Sequence, residues 1–277
     1  MNQPKLYARA NSVQRRDAKQ ILEEFADIIR WRTDKRDSLL DIGCGSGDVT
    51  MDYIVPLMPP TFSCVVGSDI SDPMIRYANK QFQNSKISFV QMDINSDSET
   101  VRKRIPQSFD HVTSFYCLHW VKNLKQAVTN IYNLLKPGGD CLLVFLAKNY
   151  IFDLYKQLAV MDKWREYLWD VDKYVGPYQN SENPDMEFTK IMHSTGFTTY
   201  NVELRDKLFT YYGVDTMKAN VRAVNPFGNR MTEREHEQFL CDYIDIAFRM
   251  KLCEKSMNDD DYRFISPYKL IVAYAIK

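Results

Sequence analysis

No stretch of this 277-residue sequence approaches the run of apolar residues that a helical membrane span requires. Met1-Asn2-Gln3-Pro4-Lys5 also lacks the apolar core of a secretion signal. Net charge is missing too: 36 Lys and Arg balance 36 Asp and Glu, so no global field draws in a polyanion and nucleic acid is not expected as a partner. Cysteines 44, 64, 117, 141, 241 and 253 form no C-x-x-C pair and no disulfide-like framework, which excludes a stapled scaffold and favours a reducing, cytoplasmic setting. Glycine is sparse, with 10 in the chain, yet three of them fall within five positions.

Those three sit in Leu39-Leu40-Asp41-Ile42-Gly43-Cys44-Gly45-Ser46-Gly47, a buried-strand pattern that meets an acidic residue and then glycines at alternate positions. Lacking a Cβ, they let the chain turn tightly and come close to a ligand between a strand and the next helix. A dinucleotide fingerprint would read G-x-G-x-x-G and aim helix N–H groups at a pyrophosphate, which Asp41 would repel. S-adenosylmethionine, with its sulfonium and ammonium cations, suits a carboxylate at the strand tip. A second apolar run, 64–68, ends at Asp69, whose two oxygens can accept both ribose hydroxyls. A third, 87–92, ends at Asp93, which can accept the adenine amino group while the Ile94 N–H meets a ring nitrogen. Each aspartate alone could simply cap the following helix, as Asp69 ahead of Ser71-Asp72-Pro73 illustrates. Their succession behind one glycine turn favours the nucleoside.

The chain continues with a strand at 109–114, a helix at 124–135, a turn at Lys136-Pro137-Gly138-Gly139 and a fifth strand at 141–146. Strands alternating with helices imply a parallel sheet. Over at least 35–147 this succession resembles the class I S-adenosylmethionine-dependent methyltransferases. The resemblance implies an α/β, Rossmann-like fold with a seven-stranded, mostly parallel sheet whose last strand is antiparallel. It also implies a cofactor cleft lined by Asp41, Gly43, Gly45, Gly47, Asp69, Ile70, Asp93, Ile94 and Tyr116, with S-adenosylhomocysteine as product.

Beyond 146 the pattern turns aromatic and helical. Residues 150–171 are too apolar for a helix showing one face to a core, so something must cover them. A loop follows at 174–184, a helix at 186–194, a sixth strand at 197–204 and a closing strand at 268–276. One methyltransferase domain thus divides into an N-terminal helical lid (1–34), a cofactor-binding core (35–147), substrate-cap insertions (148–185 and 207–264) and the remaining core (186–206 and 265–277). The cap concentrates Tyr150, Trp164, Trp169 and Tyr211 with Phe and Met, as expected for an apolar pocket, although such stripes also build ordinary core. An aromatic-rich surface is compatible with a homodimer. His111, Arg15-Arg16 and the acidic run Asn258-Asp259-Asp260-Asp261 read as structural, as solvated surface and as a charged loop.

The acceptor belongs at the loop Phe115-Tyr116-Cys117-Leu118-His119-Trp120-Val121. This loop offers no carboxylate for a divalent cation, so no metal is expected, and it lacks the Asn/Asp-Pro-Pro-aromatic run of base methyltransferases. An imidazole beside an indole suits a carboxylate acceptor, which is already ionised and needs positioning rather than a general base. Gln14, His119 and Trp120 together resemble the small-molecule carboxyl methyltransferases. Across nearly the whole chain the sequence looks like the insect juvenile hormone acid methyltransferases. That resemblance implies Gln14 and Trp120 orienting the carboxylate of farnesoic or juvenile hormone acid, an apolar carboxylic acid, with His119 supporting loop or acceptor. Two alternatives stay open: another small acid or a phenol as acceptor, with His119 then the base, or a non-catalytic terpenoid- or S-adenosylmethionine-binding module. Gln14 must approach the acceptor, so residues 7–25 are expected to fold over the cleft and order on ligand binding.

Overall fold

Five consecutive buried residues, Ser38–Ile42, make β1, and such an unbroken run belongs to a strand with a neighbour on each edge and cover on each face. The structure, a computed structural model, describes residues 3–255 and 262–277. The acidic run at 258–261 lies outside the described residues. Two helices, α1 (Pro4–Ala10) and α2 (Ser12–Phe25), precede β1. After it come a π-helical turn (Thr50–Ile54) running into α3 (Val55–Leu57), β2 (Cys64–Asp69), α4 (Asp72–Gln81), β3 (Ile87–Gln91) and α5 (Ser98–Arg104). Then follow β4 (Phe109–Phe115), α6 (Leu124–Leu134), β5 (Leu135–Asn149), α7 (Tyr150–Ala159) and α8 (Pro184–Thr195). The chain closes with β6 (Thr199–Tyr212), α9 (Val214–Val224), α10 (Glu233–Arg249), β7 (Cys253–Lys255) and β8 (Tyr262–Ile276).

The sheet runs β3-β2-β1-β4-β5-β8-β6, parallel through β5, with β8 antiparallel to both its neighbours. The expected seven-stranded Rossmann-like sheet is there, and the three-residue β7 adds an eighth strand against β8. Several boundaries differ from the sequence reading, the closing strand among them, which starts at Tyr262 rather than at 268. The turn Lys136–Gly139 is a bulge inside β5: Phe109 pairs with Leu135 and His111 with Asp140, and the extra residues are tied to the chain end by Gly138 N–H to Lys277 O (3.0 Å) and Lys277 N–H to Gly139 O (2.9 Å). Strand β6 runs on to Tyr212 and pairs with the early half of β8 from Leu208↔Pro267 to Tyr212↔Arg263. Residues 207–212 therefore form, with 263–268, a two-stranded arm that carries α9 and α10, where the cap was expected to begin. Its β-prone Leu208, Phe209, Thr210, Tyr211 and Tyr212 were masked by the aromatic richness of the whole segment.

The apolar excess of 150–171 also has a cause. The helix α7 ends at Ala159, and it serves two cores at once: Phe152 packs with the sheet, while Leu154, Tyr155 and Leu158 pack with Trp164, Phe227 and Phe239 of the cap. The helix α10 supplies the missing cover, started by a reciprocal capping box between Thr232 and Glu235.

At the far end of the sheet, opposite the strand tips, His111 is buried between two aspartates. Nδ1 lies 2.7 Å from Asp140 Oδ1 and Nε2 2.9 Å from Asp37 Oδ1, with the Trp31 ring against its edge. Tyr274 Oη and Arg30 N–H donate to the other Asp140 oxygen, Arg32 N–H to Asp37 Oδ1. Burial alone would lower the imidazole's pKa, but the two carboxylates reverse this and hold it above the ordinary 6.5. A raised pKa in the folded state means a contribution to stability that is complete below about pH 6.5 and is lost as pH rises through the folded value. Replacing His111 by Phe strands two buried carboxylates and is expected to cost roughly 3–5 kcal/mol. Urea unfolding of both proteins from pH 5 to 9 checks this: the gap should narrow as pH rises, and a gap that widens contradicts the arrangement.

Candidate functional site

The glycine turn is built by close approach. Gly43 sits at φ +76°, its N–H donates to Ser68 O at 2.7 Å, and a Cβ there would fall 2.3 Å from Cys117 Cβ. Gly45, at φ +56°, gives its N–H to Asp69 Oδ2 at 3.0 Å, while Ser71 N–H meets Asp69 Oδ1 at 2.8 Å. These bonds hold the Asp69 carboxylate at the tip of β2, although burial still raises its pKa. Gly43, Gly45, Asp69, Ile70, Asp93, Ile94 and Tyr116 all line one cleft at the strand ends. Met92 and Ile94 are buried in its wall, and Ile70 is 63% exposed at its mouth. Asp93 Oδ1 accepts Asn95 N–H at 2.8 Å.

Asp41 and Gly47, expected at the ligand, stand behind this lining. Asp41 is buried, accepts Thr50 Oγ1–H (2.5 Å) and Thr113 Oγ1–H (2.9 Å), and burial outweighs those bonds to push its pKa to about 6. It braces the turn from below because β1 is central, so a side chain at its end meets β4 and the following helix before it meets solvent. Gly47 closes the turn with its N–H on Cys44 O, and its Cα faces Phe89.

The N-terminal helices cover the turn. Asn11 Nδ2 and Arg15 Nη1 both donate to Asp48 Oδ2, at 2.6 and 3.0 Å, and Arg15 pairs with Asp52. Arg16 packs over the Phe209 ring and donates to Leu208 O. The pair Arg15-Arg16 is therefore a latch rather than solvated surface, because the partners that hold it, Asp48 and Asp52 for Arg15 and Leu208, Phe209 and Tyr268 for Arg16, are remote in sequence.

A second chamber adjoins the cleft and is bordered by Gln14, His119, Trp120, Tyr150 and Tyr211. Tyr7, Tyr116, Trp120 and Val224 line both spaces. Trp164 and Trp169 do not line it. Trp164 is buried in the cap core, its Nε1–H bonded to Asp242 at 2.7 Å, and Trp169 is 70% exposed under Lys173 and Arg230. In their place the cap contributes Met217, Asn220, Val221 and Val224 from one face of α9. That i, i+3, i+4, i+7 spacing was in the sequence and could have found them. His119 is buried against Tyr116, Trp120 and Phe152, with no hydrogen-bond partner for Nδ1 among the described residues, and burial lowers its pKa to about 3. It is a neutral imidazole.

The cleft fits S-adenosylmethionine. Asp69 has oxygen lone pairs left over from its two backbone bonds, and apolar Ile70, Met92 and Ile94 line the cleft beside Asp93. Among the described residues no group of three His, Cys, Asp or Glu could hold a metal ion, and no helix is long and apolar enough to cross a membrane.

Comparison with known proteins adds relatives. Residues 40–143 match the model of a methyltransferase domain family. The juvenile hormone acid O-methyltransferase of Drosophila melanogaster is 50% identical over all of this chain and 93% of its own length. That of Bombyx mori is 39% identical over all of this chain and 98% of its own. In structure, the YcgJ protein of Bacillus subtilis superposes with a TM-score of 0.57 at 18% identity, covering 92% of this chain and 97% of that one, a likeness of fold.

Proposed function

This chain belongs to the juvenile hormone acid O-methyltransferase family, and from that premise we propose that it methylates the carboxylate of an apolar sesquiterpenoid acid, juvenile hormone acid or farnesoic acid. The observation that carries the reading is the shared wall: a nucleoside-sized cleft with an acidic floor meets an apolar chamber at Tyr7, Tyr116, Trp120 and Val224. When bound, S-adenosylmethionine supplies the methyl carried on its sulfonium. Asp69 would grip its ribose hydroxyls, and Asp93 with the Ile94 N–H its adenine. The acid arrives ionised, so no residue need remove a proton. Trp120 Nε1–H and the Gln14 amide hold one carboxylate oxygen and leave the other free to attack. Tyr7, Tyr116 and the α9 face close out water, which strengthens each of these bonds.

The phenol alternative loses ground on His119, since a buried imidazole with a pKa near 3 is a poor base at neutral pH. We also read residues 1–34 as a lid and 148–185 with 207–264 as the cap, the latter with its β6 arm. A cytoplasmic location finds support in six free cysteines, and a homodimer in the exposed Leu208 and Tyr212 on edge strand β6.

An apolar chamber sets affinity by burial, so kcat/KM should climb with acid chain length by up to about fourfold per methylene, from ~0.8 kcal/mol each. A series of unbranched and isoprenoid acids with radiolabelled donor measures it. A flat series, or a preference for short polar acids or phenols, overturns the reading.

A further inference from the structure

Asp17 is a charged residue on an apolar stripe. The buried positions of α2 are Val13, Asp17, Ala18, Ile21, Leu22 and Phe25, and Asp17 has no exposed surface. Such a residue survives only with partners, and these are specific. Its Oδ2 accepts Tyr116 Oη–H and Tyr268 Oη–H, each at 2.6 Å. Its Oδ1 accepts Arg16 Nε–H (3.1 Å) and Nη2–H (2.9 Å), with Lys207 Nζ 3.6 Å away. Arg16 is pinned in turn by Leu208 O and by the Phe209 ring, so the carboxylate is fixed on its second side.

Tyr116 is unusual in a different way. Its φ is +55°, in the left-handed region that side chains of its size rarely adopt, and its N–H is held by Val144 O at 2.8 Å. Residues kept in such a conformation are over-determined by their surroundings and cluster at functional sites. Here the ring forms part of the wall between donor cleft and acid chamber, and its hydroxyl donates to Asp17 on α2, beside the Tyr268 hydroxyl that shares the same carboxylate oxygen. Gln14 lies one turn earlier on that helix, in position to share the Asp17 face.

We propose that Asp17 is a positioning residue for methyl transfer: by holding the Tyr116 hydroxyl from α2, it sets the ring that separates donor from acceptor and couples docking of the N-terminal helix to assembly of that wall. The inference rests on the methyl-transfer reading above. Without the bond, Tyr116 is free to pivot on its left-handed backbone, and the Asp17 carboxylate holds only Tyr268 and Arg16, so α2 no longer grips the wall. Transfer needs oxygen, methyl and sulfur in line, and a misplacement of ~1 Å costs on the order of 100-fold.

The test compares Asp17→Asn, Tyr116→Phe, their combination and Glu24→Gln. Glu24 ties the same helix to β6 through two 2.7 Å bonds to Arg205, at an exposed position away from Tyr116. Asp17→Asn and Tyr116→Phe are each expected to lower kcat by about 10–100-fold, with KM for the acid and donor affinity within about threefold. The double variant should be no slower than Asp17→Asn, because the bond that Tyr116→Phe removes is one that Asp17→Asn has already weakened. Glu24→Gln should stay within about twofold. A lower Tm with unchanged kcat per folded molecule makes Asp17 merely structural and overturns the proposal. If Asp17→Asn does not fold, Tyr116→Phe alone decides. Hydrogen exchange across residues 12–25 gives an independent reading: S-adenosylhomocysteine should protect these amides in the wild type and not in Tyr116→Phe. Equal protection overturns the coupling. A wild type that methylates no acid refutes the methyl-transfer reading instead, and the exchange comparison still decides the coupling.

Discussion

Asp69→Ala is expected to weaken binding of the donor and of S-adenosylhomocysteine by roughly 100- to 10,000-fold. Two hydroxyls that lose a carboxylate acceptor forfeit about 1.5–3 kcal/mol each, since hydrogen bonds to charged groups are the strong ones. The same substitution also frees the Gly45 and Ser71 N–H groups, which Asp69 now holds at 3.0 and 2.8 Å, so the turn loosens as well as the ligand contact. Asp69→Asn separates the two effects, keeping one acceptor for the turn while offering the ribose an amide. It should fall between wild type and Asp69→Ala. Titration calorimetry with S-adenosylhomocysteine, alongside unliganded melting, measures both, and a change within threefold for Asp69→Ala would remove this residue from the cofactor site.

The second large effect belongs to Trp120→Phe. The indole is half-buried, packs on His119 at 4.8 Å and on Phe152 at 6.1 Å between ring centroids, and borders both chambers. Phenylalanine keeps most of that packing and loses the one donor. A hydrogen bond to a carboxylate at ~1.5–3 kcal/mol converts to a loss of about 10- to 150-fold in kcat/KM for the acid. Donor affinity should stay within about threefold, because the indole's chemistry is directed at the acceptor. Gln14→Ala should show the same split at a smaller cost, since a half-buried amide competes with water. Steady-state kinetics for the acid set beside donor affinity separate the outcomes; an equal loss in both would place Trp120 in the cleft wall rather than at the acid.

Much of this was legible because the chemistry sits where strands end. The strand-then-acid pattern locates Asp69 and Asp93, and the glycines locate the turn, since backbone approach leaves a mark in residue type. Asp41 carried the same mark and yet turned out to brace the turn, because sequence does not distinguish an aspartate facing a ligand from one facing Thr50 and Thr113. The cap was harder. Trp164 and Trp169 stand in one aromatic run, but one fills a core and the other lies in solvent, and only the path of the chain after Ala159 decides which. Met217 and Val221 carried the true signal, helical spacing on one face, outweighed by the larger aromatics nearby. Arg15, Arg16 and Asp17 were invisible for a simpler reason: apart from the Arg16–Asp17 contact itself, their partners, Asp48, Tyr116 and Tyr268, are distant in sequence.

The central claim is that one wall joins a methyl donor to the carboxylate of an apolar acid, and the product itself tests it. The enzyme is incubated with juvenile hormone acid and S-adenosylmethionine labelled in its methyl group, and the product is fragmented by mass spectrometry. The account predicts a labelled methyl ester, with the label on the carboxylate oxygen and lost on saponification. A label retained after saponification, or an acid returned unmodified while the donor is bound, would contradict it.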